Sequence, residues 1–219
     1  MIKKLFFTLL AGAFVASCSN APSETVEAKE AVEETEVVSE KVIVADAGSS
    51  VINWKGFTTY SGKDHIGTIN IKNGEFKFEG DELVGGNFII DMNSIYCIDL
   101  ADDEESAGKL VGHLKSDDFF AVDEYPEARF SITGVEEAMD DEKGTTHIIS
   151  GNLTMRDNTK NISFPAKVSV EDESISFEAP EFAIDRTNWN VMFRSSGIEG
   201  VAKDKLIDDK IILELNVRG

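Results

Sequence analysis

The sequence predicts an all-β domain: an antiparallel barrel or sandwich of about eight strands with one short helical insertion. Three observations predict it. Apolar and polar residues alternate with a period of two through most of the chain after Val42. Turn residues interrupt that alternation at short intervals, as antiparallel meanders require. Over Lys109–Phe130, KLVGHLKSDDFFAVDEYPEARF, the period changes: Leu110, Leu114, Phe119 and Phe120 recur at the wider spacing of a short amphipathic helix.

The chain opens with Lys3 and Lys4 ahead of an apolar run, Leu5 to Val15, too short to span a bilayer. Val15-Ala16-Ser17-Cys18 then resembles the lipobox of bacterial lipoproteins, whose cysteine is acylated. Residues 1–17 therefore read as a signal peptide and Cys18 as a lipid anchor. Ser19, where some bacteria place an inner-membrane retention aspartate, points to an exported outer-membrane lipoprotein facing the periplasm. From Cys18 to Lys41 the chain is Glu-rich and lacks aromatic residues, so it is expected to be a flexible acidic tether. Residues 42–219 form the folded domain.

The chain carries 21 basic and 41 acidic residues, and its acidic surface disfavours nucleic acid as a partner. With Cys18 acylated, Cys97 has no intrachain partner, and within SIYCIDL it reads as a small buried hydrophobe.

Each strand follows from its pattern. Ile52 and Trp54 share a face, as do His65, Gly67, Ile69 and Ile71. Asn73-Gly74 is a turn or bulge signal, after which Phe76 and Phe78 face inward. Val84 to Met92 runs through Gly85-Gly86, and glycines inside a strand mark bending or close backbone approach. An acidic loop, Asp99 to Glu105, leads to the helical insertion, and Tyr125-Pro126 ends it. Ala128, Phe130 and Ile132 then share a face, followed by Ile149, Gly151, Leu153 and Met155. After the turn Arg156–Thr159 come Ile162, Phe164, Ala166, Val168 and Val170. Short strands carry Ile175, Phe177 and Ala179, then Phe182 and Ile184, and the last strand points Ile211, Leu213, Leu215 and Val217 inward. The inward phenylalanines either fill a core or line an apolar cavity, and a barrel of eight strands is about the size that encloses one ligand.

No catalytic constellation accompanies this pattern. His65, His113 and His147 are scattered, and there is no GxSxG, HExxH or phosphate-binding glycine loop. No enzyme activity, metal or cofactor is expected. His65 falls on the inward face of its strand, at a barrel mouth. Arg186 shares parity with Phe182 and Ile184; an inward arginine needs a carboxylate, such as Asp185 or Asp91, or a polar ligand head.

The ordered motifs NW-x-G, HIGTI, GGNFIIDMNSI, KLVGHLKSDDFFAVDEYPEARFSIT, GNLTMRDNTKNISFPA and FAIDRTNWNV resemble the YceI-like family from about Val42 to the C-terminus. The resemblance implies an extended lipocalin-like antiparallel eight-stranded β-barrel, with the helical insertion capping one end. It also implies a long apolar lipid in the lumen: a polyisoprenoid, an isoprenoid quinone or a fatty-acid derivative. Two departures stand out. Phe57-Thr58-Thr59-Tyr60 occupies the place of a common histidine, and the usual DRTDWG run reads DRTNWN. On this reading the lumen and its mouth are lined by Trp54, His65, Ile69, Ile71, Phe76, Phe78, Phe88, Ile90, Leu114, Phe119, Phe120, Phe130, Ile132, Leu153, Phe164, Phe182, Arg186 and Trp189. The expected partners are the lipid, the membrane through Cys18, and a second copy of the chain as a candidate.

Overall fold

The computed structural model describes residues 24–59, 62–138 and 144–219. The signal sequence, Cys18, the Tyr60-Ser61 part of the first hairpin and the loop at Asp140–Lys143 lie outside the described residues.

Eight strands close into one barrel: β3 (Val51–Thr58), β4 (Asp64–Glu79), β5 (Glu82–Cys97), β6 (Glu127–Glu137), β7 (His147–Met155), β8 (Asn158–Glu171), β9 (Ser174–Asp185) and β10 (Ile207–Arg218). Each pairs antiparallel with the next, and β10 pairs with β3 to close the ring. Closure removes the sheet edges that a sandwich would leave. Two further short strands, β1 (Lys29–Glu30) and β2 (Lys41–Val44), pair on β8 and β4.

Local chemistry sets the corners. Arg156 and Asp157 both take positive φ (47° and 57°), making the two-residue turn whose twist matches the flanking strands β7 and β8. Gly67 and Gly151 are required by close approach. A Cβ on Gly67 would sit 1.9 Å from the Tyr96 carbonyl oxygen and 2.4 Å from the Trp54 ring. One on Gly151 would sit 2.3 Å from the Phe130 ring. In both places a large ring from the neighbouring strand occupies the space a side chain would need.

Of the turn or bulge signalled by Asn73-Gly74, the structure has the bulge: β4 runs unbroken, and an irregularity between Ile71 and Asn73 switches the inward parity from odd to even residues. Three other expectations change. Ile175–Ala179 and Phe182–Ile184 belong to one bulged strand, β9. The helix α1 spans Glu104–Lys115, so it starts at Glu104 rather than Lys109. Asp103 caps it, accepting the Ser106 N–H at 3.1 Å, and Glu104 and Glu105 complement the positive end of its dipole. Residues that read as an acidic loop are thus a helix start, and Phe119 and Phe120 lie in the tight turns that follow the helix.

The third change is the acidic tether. From Glu24 onward it lies on the barrel as an ordered strap. Its start runs alongside β9, where the Val26 N–H donates to the Ala183 carbonyl at 2.7 Å. β1 then pairs with Asn161 and Lys160 on the edge of β8 that faces away from β7. Strands β8 and β9 pair directly only from Lys167 to Glu171, so the strap fills the seam between them nearer Asp185. Val26 and Ala28 pack against the core. Farther on, the Asn152 side chain clamps the Val32 backbone, accepting its N–H at 3.0 Å and donating to its carbonyl at 2.7 Å. The expectation failed because the charge of the strap faces solvent while its backbone and few small apolar residues supply the attachment.

Candidate functional site

The barrel encloses a cavity of about 240 Å³. Each of the eight barrel strands contributes to its wall, with Ile69, Ile71, Phe88, Ile90, Phe130, Ile132, Leu153, Phe164 and Phe182 among the lining side chains. Trp54 also lines it, its indole N–H satisfied by the Thr68 carbonyl at 3.2 Å. Polar lining residues occur only where strands meet α1 and the Arg186–Leu206 segment: Thr58, His65, Arg186, Asp208 and Lys210. This end is the mouth. Leu110 and Leu114 from α1, with Phe119 and Phe120 after it, lean over it.

The opposite end is closed. Phe76, Phe78, Leu83, Ile149, Ala166 and Ile175 are buried there, and none reaches the cavity. Phe76 packs edge-on against Phe88 at 4.9 Å between ring centroids and lies 5.6 Å from Phe177. Phe76 and Phe78 therefore form the floor rather than the wall, a correction that alternation could not supply. Parity fixes the face of a strand, not the height along the barrel. Trp189 is likewise off the wall: it is fully buried, donating its indole N–H to the Leu153 carbonyl at 2.8 Å. The other expected lumen residues all lie on the wall. Ile211, Leu213, Leu215 and Val217, the plainest alternation in the chain, line it too. Met92 and Ile95 also do so but straddle a bulge in β5, and period-two counting misses one of them.

Arg186 is 1% exposed, and its guanidinium is held by the carbonyls of Val191, Ile207 and Asp208 and by Asp209 Oδ1 at 3.1 Å. Its carboxylate partner is thus Asp209, not Asp185 or Asp91. Burial pulls its pKa down, opposed by Asp209, Asp185 and Asp208. Its guanidinium carbon stands 5.9 Å from the Phe119 ring, which also packs against His113 and Phe193. Asp185 instead caps the 3-10 turn Arg186–Trp189, accepting the Thr187 N–H at 2.9 Å. Asn190, the last residue of DRTNWN, has φ 59° and ψ 28°. Asparagine tolerates this left-handed conformation better than most residues, so the departure from glycine keeps the turn.

At the rim, His65 Nδ1 lies 2.8 Å from Asp99 Oδ2, while the Cys97 thiol and the Ile66 N–H donate to Asp99 Oδ1 at 3.2 and 2.8 Å. The three side chains could each offer a cation one ligand. Each is instead satisfied by the others, and burial with the neighbouring Asp99 pushes the thiol up to about 11, so it stays protonated. The cluster braces the mouth.

A closed antiparallel barrel with a blind apolar cavity and one polar mouth defines the class: a lipocalin-like container. The chain matches the YceI-like domain over residues 43–218, and it belongs to that family. Among solved structures, it is similar to BcnA of Burkholderia cenocepacia (16% identity, 80% of this chain and 99% of that one, TM-score 0.56). It is also similar to a polyisoprenoid-binding domain from Saccharophagus degradans implicated in plant cell wall breakdown (14% identity, 81% and 98%, TM-score 0.57). At these identities the likeness shows the fold. No match was found among curated protein sequences.

Proposed function

We propose that the protein is a membrane-tethered binding protein that holds one long-chain apolar lipid tail-first in the barrel, without catalysis. One observation carries this: the cavity wall is apolar throughout, and its polar residues gather at the single open end. Such a site fits an amphiphile with a hydrocarbon tail and one polar head near His65, Arg186 and Lys210. Each methylene withdrawn from water contributes about 0.8 kcal/mol. Family membership and the polyisoprenoid-binding relative support the ligand class, and the lipobox at Cys18 supports the tether.

The closed floor adds a limit. At the roughly 30 Å³ that a water-sized group occupies in a liquid, 240 Å³ holds about eight such groups. That suits a short acyl or prenyl chain, or the first units of a longer one. A barrel filled only by its own phenylalanines is disfavoured by the volume left open.

The test is extraction of the natively expressed protein into organic solvent, with mass spectrometry of what is released. A single-chain amphiphile is expected. No lipid on extraction, together with no uptake of a fatty acid, prenol or quinone by the delipidated protein, defeats the reading. As an internal control, Ile132→Trp should fill the lumen and abolish uptake.

A further inference from the structure

We infer that the mouth of the barrel docks on the bilayer surface, so that the lipid passes between membrane and cavity without crossing water. The inference rests on the tethered lipid-binding reading above. It starts from the outside of the mouth. Ile98 pairs with Ile66 through its N–H (2.8 Å to the Ile66 carbonyl), and Tyr96 stands opposite Thr68 on the same outer face. Ile198, in the segment between the 3-10 turn and β10, projects from another part of the same end. These four side chains are 41–50% exposed. Isoleucine beside tyrosine at a rim is the composition that sits in the headgroup layer of a membrane. The other large exposed apolar residues among those described are valines on the strap and β2.

Charge agrees. In a chain with 41 acidic and 21 basic residues, Val191–Leu206 carries Arg194, Lys203 and Lys205 against Glu199 and Asp204. At the rim itself, Lys55 lies over the Phe57 ring at 5.0 Å and is paired with Asp64 at 3.4 Å, so it adds no net charge there. The acidic start of α1, Asp102 to Glu105, lies at this end too. Apolar insertion, not attraction to anionic lipid, is therefore the driving term.

The anchor permits this orientation and opposes the inverted one. Thr25 is fixed beside Ala183, two residues before the mouth end of β9 at Asp185. Thr25 is seven residue steps from Cys18, a reach of at most about 25 Å. The floor end of β9, at Ser174, is nine residues from Ala183, about 30 Å along the strand. With the 35–45° tilt of barrel strands that is about 21–25 Å of height, so mouth-down lies well within the tether's reach and floor-down at its limit.

The acylated full-length protein in phosphatidylethanolamine/phosphatidylglycerol vesicles gives the test. Single fluorescent labels at Glu199→Cys (mouth) or Asp81→Cys (floor), in a Cys97→Ser background, are read against doxyl-quencher lipids. Several-fold stronger quenching at position 199 is expected, insensitive to salt and reduced by Ile66→Ser with Ile98→Ser and Ile198→Ser. Equal quenching, meaning a barrel lying on its side, or stronger quenching at position 81, overturns the inference. Extraction of the same protein as natively purified, before it meets the vesicles, separates the two readings. Lipid present with equal quenching sinks only the orientation, whereas no lipid sinks the binding reading on which it rests.

Discussion

The mouth and the floor of this barrel are made by the same eight strands and differ in what is packed between them. At the floor, Phe76, Phe78, Leu83 and Ile175 meet with nothing polar among them, and the side chains are buried to 5% exposure or less. At the mouth, an arginine wrapped in carbonyls, a His–Asp–Cys cluster and the aromatic turn after α1 surround an opening. The wall is uniform, so the ends decide that the barrel is a one-ended container rather than a pore or a solid core. Aromatic rings serve both ends, as filler at one and as cover at the other.

The comparison can be broken most directly by cutting equivalent rings at both ends. Phe76→Ala should cost about 3–5 kcal/mol in urea unfolding, since it empties a fully buried site. Phe120→Ala, at the half-buried cover, should cost clearly less stability while speeding lipid release. Equal losses of stability would make the mouth part of the core. Next in size is the strap that seals the wall toward the mouth. Asn152→Ala removes both partners of the Val32 backbone and should cost about 1–3 kcal/mol, toward the low end because water can reach Val32. Hydrogen exchange at the Val32 amide and proteolysis within residues 24–40 should rise with it.

Two smaller effects probe the rim. With its pKa raised to about 11, Cys97 should resist iodoacetamide at pH 8 in the folded protein and react readily after unfolding. Asp99 is pushed up by burial, but the Ile66 N–H, His65 and the Cys97 thiol outweigh this and hold it below its ordinary 3.8. A depressed folded pKa gives stability that is present above the unfolded value and lost as pH falls through the folded one. The stability gap between the native chain and Asp99→Asn should therefore be constant above about pH 5 and shrink as the pH drops below 4. A gap that widened on acidification would show that the cluster does not brace the mouth.

Much of the container was legible in the sequence because alternation reports which face of a strand is inward. Ile69, Phe130, Leu153 and Phe182 were all placed on an inward face by that rule, and the family resemblance made that face a wall. Alternation carries no information on height, so Phe76 and Phe78 were grouped with wall residues although they close the floor. Arg186 was legible as an inward charge needing a partner. That the partner is Asp209 was not, because a β-strand register across 23 positions brings them together. The helix start was hidden by its own caps, whose Asp and Glu residues also suit a solvated loop. Trp189 was read as lumen; the 3-10 turn Arg186–Trp189 sets its indole against the Leu153 backbone instead.

The strap also sets an order of events in folding. Its residues precede their partners in the chain by more than a hundred positions, with Val32 separated from Asn152 by 120. Loop closure over that distance is costly until the partner strands exist. The ring of strands must therefore form first, leaving the upper edges of β8 and β9 unpaired until Glu24–Val32 settles between them. Until then the barrel has open β-edges, the feature that makes folding intermediates stick to one another. A segment near the start of the chain is thus the last to take its place.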